Sequence, residues 1–142
     1  MEIKKILVPI DGSDASERAL GYACSLAEKG GAVVTMLYVV EADVLLFPVY
    51  RVNLSESDVD SVKKKGEEIL ALFGRDVPEG TKVERKVEVG MPGASIVREA
   101  EVGKADLIVM GNSGKGSVSS FVMGSVSHYV VHHSSCPVLI VK

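Results

Sequence analysis

Short aliphatic runs alternate along this chain with longer segments whose apolar residues recur every three or four positions. The runs predict strands, and the periodic segments predict helices between them. The five predicted strands cover residues 3–10, 32–40, 82–89, 106–111 and 137–141. Strands that alternate with helices form a parallel sheet whose right-handed crossovers place helices on both of its faces. We therefore predict an α/β fold with an open, five-stranded parallel sheet.

Size and composition agree with one such unit. The chain has 142 residues, which fits a single domain over residues 1–142. Aromatic residues make up only 5% and tryptophan is absent, so the core must be aliphatic. An aliphatic core suits a parallel sheet, because its strands are covered on both faces. The run 82–89 instead alternates charged and apolar residues, which predicts a strand near a sheet edge.

The charge distribution argues against nucleic acid and membrane as partners. The net charge is −3, and the longest cationic run, 63–65, falls on a predicted helix face where solvation is the simpler explanation. No apolar stretch approaches the ~20 residues that span a bilayer, and the chain enters its first strand without a leader-like segment.

Cys24 and Cys136 are far apart in sequence, which favours free thiols in a reducing cytoplasm over a disulfide.

The most informative motif follows the fourth predicted strand. Gly111-Asn112-Ser113-Gly114 is followed, after nine intervening residues, by Gly124-Ser125. Glycines let a backbone turn sharply and approach a ligand, and the free N–H groups of the next helix favour an anion. Ligands of such sheets bind at the carboxyl ends of strands where the strand order reverses. The ends of the first and fourth strands, 9–13 and 110–111, are the predicted positions.

Two standard phosphate-binding motifs do not fit this loop. A P-loop would need a lysine directly after the second glycine, but Ser117 follows Gly116. A dinucleotide fingerprint would need a glycine where Ser119 stands. Taken alone, the small polar run 113–120 is equally typical of an ordinary loop.

The spacing of these glycines resembles the nucleotide-binding signature of the universal stress protein family. The resemblance covers nearly the whole chain and includes Val-Pro-x-Asp-Gly-Ser at 8–13, Val-Gly-x-Pro at 89–92, the run 105–111 and the ending 137–141. The spaced glycines are similar to those of the family's ATP-binding branch. The resemblance implies a Rossmann-like fold of the adenine nucleotide alpha hydrolase type and a regulatory or stress-response role.

The resemblance also implies a set of nucleotide-binding residues. They are Pro9, Ile10, Asp11, Val39, Met110, Gly111, Gly114, Gly124, Ser125 and Val126. The glycines and Ser125 match the phosphate and ribose loop, Asp11 an adenine contact, and Val39 an apolar wall of the adenine pocket. Without the resemblance, Asp11 is more typical of a helix N-cap and Val39 of the core.

The implied ligand is ATP, with Mg²⁺ or Mn²⁺ as an accompanying ion that phosphates and water would hold. We expect no catalytic residue, because no group that could position a nucleophile stands out. ATP would then be hydrolysed slowly at most. A dedicated ATPase and a nucleotide-free dimerisation module are the alternatives. His128 and His132 have a metal-binding spacing, but no third ligand is obvious, so we expect no resident metal.

Two apolar segments suggest contacts beyond the nucleotide. The strand within 138–141 is expected at a sheet edge, and the resemblance implies that it pairs with its copy in a homodimer. An edge covered by the chain's own loops is the alternative. The segment 41–54 has no clear element and is equally consistent with a binding loop and with a loop folded onto the domain.

Overall fold

The structure is a computed structural model that describes residues 1–41, 56–113 and 123–142. Its strands are β1 Lys5–Pro9, β2 Val33–Glu41, β3 Lys82–Gly90, β4 Leu107–Gly111 and β5 Val138–Val141. Its helices within these ranges are α1 Asp14–Gly30, α2 Glu56–Gly74, α3 Pro92–Gly103 and α4 Ser125–His133. The predicted segment 41–54 falls almost entirely outside the described residues. None of the described helices is both long and apolar enough to cross a bilayer.

The strands form one parallel sheet in the order β3-β2-β1-β4-β5. This confirms the predicted fold class, and it places β3 and β5 at the two edges as their sequences suggested. Predicted strand boundaries differ from the observed ones by at most two residues. The first strand differs most, because Ile3 and Lys4 precede the paired segment Lys5–Pro9.

Helices cover both faces of the sheet. On the first face, α1 and α2 pack against a cluster that includes Val8, Val34 and Val109, all fully buried. On the second face, α3 and α4 pack against Leu7, Leu37 and Ile108. Cys24 belongs to the first cluster and Cys136 packs against the second, so the two thiols lie on opposite sides of the sheet.

Helix α1 lies close to the sheet because its buried stripe consists largely of alanine. Ala15, Ala19, Ala23 and Ala27 recur at helical spacing and are each at most 6% exposed. Ser13, which directly precedes the first helical residue, is the N-cap, since its side chain accepts from Ser16 N.

Asp106 links β1 to β4 through hydrogen bonds at the amino ends of these strands. Its Oδ2 accepts hydrogen bonds from the backbone N–H groups of Lys4 and Lys5, both at 2.9 Å. Its own N–H donates to the Lys5 carbonyl, also at 2.9 Å. The bonds from Lys4 and Lys5 lower the pKa of the Asp106 carboxyl below its ordinary value of 3.8.

We expect Asp106→Asn to lower the free energy of unfolding by about 1 kcal/mol at neutral pH, because the charged acceptor is lost at a partly exposed site. A carboxyl whose folded-state pKa is depressed stabilises the fold fully above its unfolded-state pKa. That contribution disappears as the pH falls through the folded-state pKa. The wild-type and Asp106→Asn unfolding curves in urea should therefore differ at pH 7 and converge below pH 3.8. A difference that is constant with pH would contradict this assignment.

Candidate functional site

The strand order reverses between β1 and β4, and the carboxyl ends of these strands therefore form the place where an open α/β sheet has its ligand crevice. The chain leaves β1 through α1 on the first face, whereas it leaves β4 toward α4 on the second face. Neighbouring connections that depart to opposite faces leave a gap between them, which is where open α/β sheets bind ligands. The structure thus confirms that the ends of the first and fourth strands are where the strand order reverses.

The segment after β1 is held in a tight turn that presents Asp11. Ile10 is 2% exposed, and its N–H donates to the Leu37 carbonyl at 2.8 Å. The exposed Asp11 accepts from Ser13 N through Oδ1 at 2.9 Å, and Gly12 between them has a left-handed φ of 85°. Asp11 is therefore not the helix N-cap, a role that belongs to Ser13.

Tyr38 is a neighbour of Asp11 that the sequence did not single out. Burial raises the pKa of the Tyr38 phenol, and the carboxylates of Asp11 and Glu41 raise that pKa further. The neutral phenol thus lies within electrostatic reach of Asp11. Tyr38 packs on the first face, whereas Val39, the next residue of β2, packs on the second.

Three predicted apolar site residues share one cluster. Val39, Met110 and Val126 all belong to or pack against the cluster on the second face, and Met110 is 5% exposed. The structure therefore brings β2, β4 and α4 together at these positions. Val39 and Val126 remain partly exposed, so each is both a core contact and available surface.

Gly111 permits a close contact between β4 and α1. A Cβ at this position would lie 2.7 Å from the Ala15 Cβ, 3.0 Å from the Ala15 carbonyl carbon and 3.2 Å from its oxygen. The absence of a side chain at Gly111 thus sets how near α1 can approach this side of the crevice. Packing alone is a sufficient reason for a glycine here.

The beginning of α4 is joined directly to the end of β4. The Asn112 carbonyl accepts from Gly124 N at 2.7 Å and from Ser127 Oγ at 2.8 Å. The Asn112 N–H donates to the Val141 carbonyl at 2.9 Å, which ties the same residue to β5. These bonds hold Gly124 beside the end of β4, close to Gly111. The predicted residue Gly114 lies outside the described residues.

The two helices that begin at the crevice differ in how their N-termini are satisfied. Helix α1 has a serine cap and the acidic residues Asp14 and Glu17 in its first turn. Helix α4 has Gly124 as N-cap, no side-chain cap and no acidic residue in its first turn. Its first amides have no acceptor within the helix, and the helix dipole is positive there. The start of α4, where Ser125 is exposed, is thus the better place for an anion.

A second cleft, of different character, lies across β1, β2 and β3. It measures about 150 Å³ and lies beneath α3, where Lys86 forms an ion pair with the buried Glu99. The hydrogen bond to Glu99 is the main cause of a raised Lys86 pKa. Lys86 and Glu99 thus neutralise each other within this cleft.

The histidines of α4 form ring contacts along the helix surface. The His128 and His132 rings are stacked with centroids 6.4 Å apart, and His133 stacks on Tyr129 at 4.0 Å. Across the described ranges, no three side chains from His, Cys, Asp or Glu are grouped so that they could hold a metal ion.

Comparison with known proteins identifies relatives over nearly the whole length. The model of the universal stress protein family matches residues 2–142. A universal stress protein of Methanocaldococcus jannaschii is 39% identical over 141 residues, which cover 98% of this chain and 82% of that protein.

Solved structures of the same kind share the fold. UspA from Lactobacillus plantarum aligns with a TM-score of 0.83 and 26% identity, covering 100% of this chain and 99% of that one. A universal stress protein from Archaeoglobus fulgidus in complex with dAMP aligns at 0.67 and 25%, covering 100% of both chains. One in complex with cAMP aligns at 0.65 and 25%, covering 100% of this chain and 98% of that one.

Proposed function

Since this chain belongs to the universal stress protein family, we propose that it binds an adenine nucleotide in the crevice between the carboxyl ends of β1 and β4. The observation that carries the proposal is the N-terminus of α4, which is uncapped and free of acidic side chains at the point where strand order reverses. The related structures in complex with dAMP and cAMP support an adenine nucleotide as the ligand.

The proposed phosphate side of the site is built from β4 and α4. Gly111 and Gly124 keep side chains away from the phosphates, while Ser125 and Val126 offer their amides in the first turn of α4. Ser125 adds an exposed hydroxyl that can donate to a phosphate or ribose oxygen. We also propose Gly114 as a residue of this phosphate-binding loop, on the family resemblance alone.

The proposed adenine side is built from β1 and β2. Pro9 ends β1, Ile10 still bonds to β2, and the Asp11 carboxylate that follows is exposed to accept from an adenine N–H group. Val39 of β2 and Met110 of β4 supply apolar surface from the second-face cluster. The base would thus contact mainly β1 and β2, and the phosphates β4 and α4, which gives the site a means of recognising both.

We propose ATP as the physiological nucleotide, held rather than rapidly hydrolysed, with Mg²⁺ or Mn²⁺ coordinated by its phosphates and by water. The protein would act in the cytoplasm as a nucleotide-dependent regulatory module of the stress response.

The partly exposed apolar strand β5, in which Leu139 is 38% exposed, would pair with the same strand of a second copy. Sedimentation equilibrium should then give twice the chain mass of 15.1 kDa.

The direct test is to denature the purified protein and to identify released nucleotide by chromatography. We expect adenine nucleotide in the released fraction, or a melting temperature that rises by about 10 °C at ATP concentrations near one hundred times the dissociation constant. ADP that accumulates over many turnovers would instead support the ATPase alternative. A protein that releases no nucleotide, and whose melting temperature is unchanged by AMP, ADP or ATP with Mg²⁺, would contradict the proposal.

A further inference from the structure

We infer that Ser127 is a positioning residue of the nucleotide site, although it is not among the residues predicted to contact nucleotide. Its hydroxyl fixes the N-terminus of α4 against the end of β4 and thereby sets the affinity for the nucleotide's phosphate. The inference rests on the proposed function, because it concerns the same crevice.

The geometry places the Ser127 hydroxyl between the two ends of the glycine loop. Its Oγ lies 2.8 Å from the Asn112 carbonyl oxygen and 3.0 Å from the Gly124 carbonyl oxygen. A serine has one hydroxyl proton, so the two acceptors share it. Ser127 is 2% exposed, so water does not replace these bonds readily. The contact with Asn112 is the shorter one, and it joins α4 to the residue that follows β4.

Asn112 makes this contact relevant to the whole crevice. It is 6% exposed, and its backbone bonds to Gly124 on one side and to Val141 on the other. With Ser127 present, α4 is joined to Asn112 by two hydrogen bonds, from Gly124 N and from Ser127 Oγ. Without the hydroxyl, only the bond from Gly124 remains, so the helix start gains freedom to shift.

Such freedom matters because the phosphate is to be bound by the first amides of this helix. Donors that are already aimed at a ligand cost no ordering when it binds, whereas loosely held donors must be ordered at that moment. Adenosine lacks a phosphate, and its contacts would lie on the β1 and β2 side. Loss of the Ser127 hydroxyl should therefore weaken the binding of AMP and spare that of adenosine.

Ser127→Ala is a suitable variant because it leaves no buried acceptor without a donor. The Asn112 carbonyl keeps its bond from Gly124 N, and the Gly124 carbonyl keeps its bond from His128 N at 2.9 Å. The fold should thus persist. Ser95→Ala is the matched control, since Ser95 is a 5% exposed serine in the first turn of α3, away from the crevice. Ser127→Cys is a second variant that keeps a side chain of similar shape but a poor donor.

The experiment measures dissociation constants for AMP and adenosine by calorimetry, and amide exchange at Gly124 without ligand. For Ser127→Ala and Ser127→Cys we expect AMP binding roughly tenfold weaker, with adenosine binding within about twofold of wild type. Exchange at the Gly124 amide should be roughly tenfold faster. Ser95→Ala should change none of these values.

The outcomes separate the inference from the function on which it rests. Wild-type protein that binds no adenine nucleotide would overturn both together. Wild-type protein that binds AMP, with folded Ser127 variants that bind it equally well, would overturn the inference alone. So would an equal proportional loss for AMP and adenosine, because that pattern indicates a general loss of stability rather than a shift of the phosphate donors.

Discussion

Replacing Gly111 by alanine is expected to lower the free energy of unfolding by about 2–3 kcal/mol, although the change adds a single methyl group. The new Cβ would meet the Ala15 Cβ at 2.7 Å and the Ala15 carbonyl atoms at 3.0 and 3.2 Å. Because two of these three atoms are backbone, no side-chain rotation relieves the contact, and α1 must move away from β4. Urea unfolding monitored by circular dichroism measures the loss.

The same substitution elsewhere in the chain should have the opposite sign. Gly21 lies in α1, and a Cβ there would meet nothing within 4 Å. Gly21→Ala should therefore stabilise the protein by about 1 kcal/mol through helix propensity. Adding Ala15→Gly to Gly111→Ala should restore part of the lost stability, since the nearest clashing atom is removed. A Gly111→Ala protein as stable as wild type would show that α1 and β4 are not in close contact.

Replacing Gly124 by valine is expected to weaken adenine nucleotide binding by at least about 100-fold while the fold is retained. Gly124 has φ −68° and ψ 162°, an extended conformation that valine also adopts, so the backbone is not strained. Valine is a poorer N-cap than glycine, and we expect a stability loss of about 1 kcal/mol. The branched side chain would occupy the space that a phosphate needs at the start of α4. A 100-fold weaker dissociation constant corresponds to a loss of about 3 kcal/mol of binding free energy. Calorimetry with ATP and AMP measures the change.

Met91→Val is the matched control for this substitution. Met91 is the N-cap of α3, also without a side-chain cap, and it is 56% exposed. Helix α3 begins after the edge strand β3, so the control alters a helix cap away from the crevice. It should leave affinity within about twofold of wild type. Undiminished affinity in a folded Gly124→Val protein would place the phosphate elsewhere.

Local patterns were sufficient to predict the architecture of this chain. Uninterrupted aliphatic runs predicted the central strands, and the alternation of charge in 82–89 predicted that β3 lies at an edge. These predictions succeed because burial on one or two faces leaves a direct trace in the sequence. Such patterns do not identify Ser13 as the cap of α1, because the cap depends on which residue first leaves the helical conformation.

The contacts that hold the crevice together could not be predicted in this way. Asp106 binds backbone amides of Lys4 and Lys5, Gly111 packs on Ala15, and Ser127 bonds to Asn112. Each joins parts of the chain that only the folded topology brings together, and each involves a residue type that is common in loops and helix ends. The motif did indicate Gly111 and Gly124. It could not indicate that Gly111 is required by packing against Ala15, or that Gly124 is the N-cap of α4.

The bond between Asn112 and Val141 has a consequence for the order in which the molecule can be completed during translation. Strands β1, β2 and β3 are adjacent in the sheet and can pair as they emerge from the ribosome. The residue after β4, by contrast, receives its acceptor from β5, which is synthesised after all the other described elements. A nascent chain can therefore pair three of its five strands and still lack the bond that holds Asn112 beside the proposed phosphate site. On the proposed function, nucleotide would then be captured only after synthesis has passed Val141.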